Sequence, residues 1–121
     1  MLGGFITVVI SFFMIYHQLY RFTDDFVIDD INQVAILMNL EVSQVARYQD
    51  DDTFYYVVDY QKEIDDTKEV STLIYIYHMD TQVSYYFDIS DSESYQDDLT
   101  KVKYLEEHSK RTIIDPSPFN D

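Results

Sequence analysis

The sequence predicts an α+β protein made of an N-terminal transmembrane helix, a second helix, a three-stranded antiparallel meander and a C-terminal helix. Residues 2–20 contain no Asp, Glu, Lys or Arg. Three later segments alternate their side chains with a period of two, as strands do, and two others repeat apolar residues at helical spacing. We therefore predict an anchor over residues 1–21, an acidic hinge over 22–30, a small α+β domain over 31–111 and a flexible tail over 112–121.

The composition limits the classes of function. A chain of 121 residues has room for one small domain beside the N-terminal segment. Its net charge of −15 repels phosphate backbones and anionic lipid headgroups, so we expect no nucleic-acid partner. The hydrophobic fraction of 46% disfavours disorder, and the absence of cysteine excludes disulfides and thiolate metal sites.

Residues 2–20 have the length of a membrane span. As a helix they would extend over about 29 Å, close to the hydrocarbon thickness of a bilayer. Tyr16 and Tyr20 fall where an interfacial aromatic belt lies, and Arg21 can reach the headgroups. We predict a single-pass membrane protein anchored in lipid by Phe5, Ile6, Val8, Val9, Ile10, Phe12, Phe13, Met14, Ile15, Tyr16 and Tyr20.

Two other interpretations of this segment stay open. It could be a buried element of a soluble core, because its uninterrupted apolar part ends at Tyr16 and the β-branched cluster from Ile6 to Ile10 suits a buried strand. It could also be a cleaved signal peptide, although it lacks a basic start and a small-residue cleavage site. One arginine beside the span does not determine which side of the membrane the domain faces.

The first helix of the domain is predicted over residues 31–48. Its apolar side chains recur at three-, four- and seven-residue spacings and so form one face of an amphipathic helix. They are Ile31, Val34, Met38, Val45 and Tyr48. A C-terminal helix is predicted over residues 95–110 on the same grounds, from Tyr95, Leu99, Val102 and Leu105.

Three strands are predicted between these helices, over residues 54–62, 70–79 and 82–89. Each is rich in β-branched and aromatic residues and has one wetter face, which favours an antiparallel meander. The first connection, residues 63–69, is acidic. The second is a short turn at Asp80 and Thr81 that lacks the glycine favoured by type I′ hairpins.

The search for catalytic and ligand-binding motifs finds none. His17, His78 and His108 are far apart and have no metal-ligand spacing. Glycine occurs only at positions 3 and 4, so the sequence has no loop for cradling phosphates. The acid-rich turns, residues 50–52 and 88–93, lack the pattern of a calcium loop and are interpreted as solvated. We therefore expect no enzymatic activity, no cofactor, no metal and no small-molecule substrate.

The twelve tyrosines are the remaining signal for function. Tyrosine supplies a large and rigid contact area at protein interfaces. The alternative is that a small domain uses tyrosine to cover a thin core. The functional interpretation is an acid-rimmed face that binds a protein partner through Tyr55, Tyr75, Tyr77, Tyr85 and Tyr86. A partner with a basic surface is one option.

The order of elements and the phrases Phe54-Tyr-Tyr-Val-Val58 and Lys103-Tyr-Leu-Glu-Glu107 resemble small cystatin-like domains held at the surface of Gram-positive bacteria. The similarity covers residues 31–110. Such domains are typically lipoproteins, whereas this chain has no cysteine. The resemblance implies a non-enzymatic domain of the cell envelope, with some relatives on mobile elements, and it assigns no functional residue.

Three functions are compatible with the sequence. The first is a single-pass protein that presents a small, acidic, tyrosine-rich interaction domain next to the membrane. The second is an accessory subunit of a larger membrane complex. The third is a soluble acidic inhibitor or immunity-type protein in which residues 2–20 belong to the core.

Overall fold

The computed structural model describes residues 23–114, so the predicted anchor from Phe5 to Tyr20 lies outside the described residues. Among the described residues no helix is both long and apolar enough to cross a membrane. The elements in chain order are helix α1 (residues 23–38), β1 (Leu40–Asp50), β2 (Thr53–Ile64), β3 (Thr67–His78), β4 (Val83–Asp88), a 3-10 helix (Ile89–Tyr95), α2 (Gln96–His108) and β5 (Thr112–Ile114).

The strands form one antiparallel sheet in the order β4-β3-β2-β1-β5. The predicted α+β class is therefore confirmed, and the predicted meander corresponds to β2, β3 and β4. The sheet has two more strands than the sequence predicted. One of them is β5, whose residues were assigned to the flexible tail.

The prediction of a helix over residues 31–48 is wrong in its second half. The helix ends at residue 38, and Asn39 follows with φ of 55°, the left-handed conformation that commonly closes helices. Strand β1 then carries a bulge at Ser43, because Val42 pairs with Tyr60 while Gln44 pairs with Asp59. The bulge puts Val42 and Val45 on one face at a spacing of three, which imitates a helical repeat.

Residues 23–30, predicted as part of an acidic hinge, are helical and belong to α1. Val27, Ile31 and Ala35 are buried at four-residue spacing, so α1 has one buried stripe. The chain divides into two compact units after Ile31, within this helix. The sheet and α2 belong to the second unit.

The connection between β2 and β3 is shorter than predicted. Both strands continue until only Asp65 and Asp66 join them. Their φ angles are 50° and 63°, the signature of a type I′ hairpin turn. Aspartate takes the place of the usual glycine here, since Asn and Asp tolerate the left-handed region better than other residues with a side chain.

The sheet is apolar on both faces. Helix α2 packs on one of them, called the α2 face, through Val102 and Leu105. The buried sheet residues of the α2 face are Ala46, Tyr48, Tyr55, Ile74, Ile76 and Phe87. The alternate positions form the opposite face, which buries Val45, Phe54, Tyr56, Val58, Leu73 and Tyr75.

Candidate functional site at the edge of the sheet

Strand β4 lies at the end of the sheet, and among the described strands only β3 pairs with it. The pairing runs without a register shift from Leu73 opposite Asp88 to His78 opposite Val83. Proteins usually protect an exposed edge with Lys, Pro or a bulge. None of these interrupts β4, whose sequence is Val-Ser-Tyr-Tyr-Phe-Asp. We call the outer side of Val83–Asp88 the β4 edge.

The β4 edge also has exposed apolar side chains. Val83 is 51% exposed and Tyr86 is 43% exposed. Val83 shares the α2 face with the buried Phe87, while Tyr86 lies on the opposite face, so each face of the strand carries an exposed side chain. The β4 edge can therefore offer both backbone hydrogen bonds and side-chain contact area.

Aromatic stacking holds β4 in place from both faces. On the opposite face the rings of Tyr75 and Tyr86 are almost parallel, at 5°, with centroids 6.4 Å apart. On the α2 face Tyr95, from the 3-10 helix, stacks on Phe87 with centroids 4.5 Å apart and rings 3° from parallel. Tyr95 also lies 6.4 Å from the ring of Tyr85. Offset stacks of this kind favour one fixed arrangement of the rings.

A hydrogen bond joins β4 to the start of α2. The hydroxyl of Tyr85 donates to the carboxylate of Asp98, at 3.1 Å and 3.2 Å from its two oxygens. Burial of the ring, together with the charge and the hydrogen bond of Asp98, raises the pKa of Tyr85 to about 12. Tyr85 is therefore a neutral hydrogen-bond donor throughout the physiological pH range.

Asp88 ends β4 and begins the 3-10 helix. Its carboxylate accepts hydrogen bonds from the backbone nitrogen of Ser90 at 2.9 Å, from the Ser90 hydroxyl at 2.7 Å and from the Ser71 hydroxyl at 3.3 Å. The hydroxyl of Tyr60 also donates to it. Burial opposes the charge of Asp88, but the hydrogen bonds outweigh burial, so the pKa of Asp88 lies below its ordinary value.

Acidic side chains predominate in the segment of the chain that contains β4. No Lys or Arg occurs from residue 69 to residue 100, a range that covers most of β3, all of β4, the 3-10 helix and the start of α2. The same range contains seven acids. They are Glu69, Asp80, Asp88, Asp91, Glu93, Asp97 and Asp98.

The five tyrosines proposed from the sequence do not share one face. Tyr55 and Tyr85 lie on the α2 face, whereas Tyr75, Tyr77 and Tyr86 lie on the opposite face. Tyr55 and Tyr75 are buried, Tyr77 and Tyr85 are partly buried, and Tyr86 is exposed. Tyr85 and Tyr86 belong to β4 itself, so the structure places two of the five at its edge.

Two open clefts lie elsewhere in the second unit. One, of about 380 Å³, lies between the α2 face and helix α2 and has Asp59, Lys103, Glu106 and Arg111 in its wall. The other, of about 390 Å³, lies beside Asp88. Within residues 23–114 no group of three or more His, Asp or Glu side chains could hold a metal ion.

The sequence did not single out Val83, and the predicted three-stranded meander left both of its outer strands as edges. The available signal was the run 82–89, which has neither Lys nor Pro and lies within a long stretch without basic residues. Comparisons of the chain with protein-family models, curated proteins and solved structures give no match. The proposal that this domain binds a protein partner therefore depends on the β4 edge.

Proposed function

We propose that this chain is a non-enzymatic, single-pass membrane protein whose small acidic domain binds a protein partner. The partner adds an extended segment to the β4 edge as a sixth strand of the sheet. The observation that carries the proposal is the unprotected edge, with its continuous pairing to β3 and its exposed Val83 and Tyr86. Strand addition is a common mode of peptide recognition, in which main-chain hydrogen bonds give affinity and side-chain contacts give specificity.

The geometry favours binding in two ways. An added strand satisfies the outward-facing N–H and C=O groups of β4, and each such hydrogen bond contributes about 0.5–1.5 kcal/mol net. The stacks of Tyr86 on Tyr75 and of Phe87 on Tyr95 already hold the strand in one conformation. Less conformational entropy is lost when a surface is ordered before it binds.

Site-specific photo-crosslinking tests this proposal. A photoreactive phenylalanine analogue, p-benzoylphenylalanine, is introduced in place of Tyr86 in the full chain, in the cells that make it. The matched control carries the analogue in place of Tyr104, which is 54% exposed on α2. We expect a discrete protein adduct at Tyr86 and a much weaker one at Tyr104. Equal labelling from both positions would rule out the β4 edge as the contact surface.

The membrane anchor remains part of the proposal and is supported by the length and apolarity of residues 2–20. An aspartate near the middle of a span costs about 2.5–3.5 kcal/mol of insertion. We expect Ile10→Asp to move the protein to the soluble fraction. Ile113→Asp, at an exposed position of β5, is the control for the charge itself. If Ile10→Asp stays in the membrane fraction, the anchor is not residues 2–20.

The proposal also includes kinship with the cystatin-like envelope domains, supported by a helix followed by an antiparallel meander. A partner that stays bound in detergent at fixed stoichiometry would make the protein an accessory subunit of a complex. A partner that dissociates would make it a separate interaction module.

A further inference from the structure

Resting on the proposed function, we propose that the strand added to the β4 edge is a basic segment of the partner, with Lys or Arg at alternate positions. All seven charged side chains of the Asp, Glu, Lys and Arg types in residues 69–100 are acidic. Of the described basic residues, Lys101, Lys103, Lys110 and Arg111 follow this range, while Arg47, Lys62 and Lys68 precede it on β1, β2 and β3. Lys62 lies in the wall of the cleft beside Asp88.

Three of these acids lie in the segment that directly follows β4. The 3-10 helix follows β4 directly and is fixed to it by the stack of Tyr95 on Phe87. Asp91, Glu93 and Asp97, in the 3-10 helix and the first turn of α2, are all exposed. Their carboxylates are therefore exposed to solvent in the segment next to β4, and Asp91 also lies in the wall of the cleft that Lys62 shares.

The opposite face adds an aromatic contact. Side chains of an added strand alternate between the two faces and lie about 5 Å from their cross-strand neighbours. On the opposite face such a side chain lies beside the exposed ring of Tyr86, which the stack on Tyr75 holds in place. A Lys or Arg over this ring gains a cation–π contact in addition to the attraction of the acids.

The same charges disfavour a second copy of this chain as the occupant. Pairing two β4 strands would bring two acidic surfaces together, and like charges across an interface are repulsive. A basic strand from another protein neutralises the surface instead. The charge thus gives selectivity for a basic partner, while the backbone hydrogen bonds give affinity.

The test uses the full chain in detergent micelles and three synthetic ten-residue peptides. Each alternates Val with one other residue, which is Lys, Thr or Glu. Affinity is measured by fluorescence anisotropy, and the position of binding by hydrogen–deuterium exchange of the β4 amides. We expect the Lys peptide to bind at least about 10-fold more tightly than the Thr peptide at low salt, with the difference largely lost at high salt.

The outcomes separate this inference from the proposed function. Equal affinity for the Lys and Thr peptides, with β4 protected by both, would overturn the basic partner but leave strand addition intact. Failure of every peptide to protect β4 would overturn the proposed function. A dimer that protects β4 in the absence of peptide would show that a second copy is the occupant and would overturn the inference.

Charge-neutralising variants test whether the local acids matter. The triple variant Asp91→Asn, Glu93→Gln, Asp97→Asn removes three charges beside the edge. The matched control Glu41→Gln, Glu63→Gln, Glu107→Gln removes three exposed charges elsewhere. We expect the first variant to lower the affinity for the Lys peptide by about 5-fold or more and the second variant to lower it by less than about 2-fold. Equal losses would mean that only the net charge of the protein attracts the peptide.

Discussion

The hydroxyl of Tyr85 donates to the carboxylate of Asp98, with distances of 3.1 Å and 3.2 Å to its two oxygens. This bond connects the edge strand β4 to the first turn of α2, the element that covers the same face of the sheet. It places a carboxylate next to the site at which we propose that a basic strand binds. The bond thus supports the position of β4 and contributes to the negative charge there.

We expect Asp98→Asn to lower the pKa of Tyr85 from about 12 toward its ordinary value. The substitution removes the negative charge that disfavours the phenolate. The pKa should stay above 10.0, because burial is the largest cause of the shift. The ¹³C shift of the Tyr85 ring, followed through an alkaline titration, measures the change. Asp97→Asn, one residue away, is the control and should have a smaller effect.

The same shift makes the fold sensitive to alkali. The pKa of Tyr85 is higher in the folded chain than the ordinary 10.0, so unfolded chains lose this proton first. The stabilising contribution is complete below pH 10 and is lost as the pH rises toward about 12. We expect Tyr85→Phe to weaken the decline in the free energy of unfolding over this window. An unchanged slope in urea titrations would contradict the assignment.

Asp88→Asn should destabilise the fold at neutral pH by about 1–2 kcal/mol, because it weakens hydrogen bonds to a charged acceptor. The lowered pKa of Asp88 determines how its contribution to stability changes in acid. Asp88 stabilises the fold at pH values above its ordinary pKa of 3.8, and the contribution is lost as the pH falls through its lower folded value. The variant should therefore lose less stability in acid than the parent chain. Glu93→Gln, at an exposed acid nearby, is the matched control for removal of a carboxylate.

The turn between β2 and β3 should tolerate glycine better than alanine. Asp66 has φ of 63°, where a residue with a Cβ is strained and glycine is not. We expect Asp66→Ala to cost about 1 kcal/mol and Asp66→Gly to be neutral or slightly stabilising. Asp52→Ala, in a turn at a residue without positive φ, is the matched control for loss of the carboxylate. Equal effects of Asp66→Ala and Asp52→Ala on urea midpoints would contradict this explanation.

The sequence predicted the α+β class and the central meander because β2, β3 and β4 follow a strict period of two. It did not predict β1, because the bulge at Ser43 breaks that period and brings Val42 and Val45 onto one face. It did not predict β5, because Thr112–Ile114 is too short to carry a pattern. Strand β5 is fixed by its pairing with β1, which is distant in the chain, and a local pattern does not contain that information.

The candidate site depended on the same missing strand. A sheet of only three strands would have left both β2 and β4 at its edges, and the tyrosines could not distinguish them. Strand β1 covers β2 and leaves β4 at one end of the sheet, where only β3 pairs with it among the described strands. The acidic range around β4 is visible in the sequence. That β4 and not β2 lies at the end of the sheet follows only from the pairing of β1 with β2.

The 3-10 helix holds the edge strand β4 on the α2 face. Tyr95 stacks on both Phe87 and Tyr85, so it is the main side chain of the 3-10 helix that holds β4 on the α2 face. We expect Tyr95→Ala to speed amide exchange in β4 several-fold more than in β2, because edge strands open locally at a lower free energy than central ones. The global stability should fall by about 1–3 kcal/mol.

Exchange measured residue by residue in the full chain distinguishes this local effect from general loosening. Tyr104→Ala is the control, since Tyr104 is exposed on the same helical segment of the chain and contacts His108 rather than β4. If Tyr95→Ala accelerates exchange equally in β2 and β4, then the stack stabilises the whole sheet and does not order its edge. If only β4 responds, the affinity of the Lys peptide should fall with it, because the edge must then be ordered at the moment of binding.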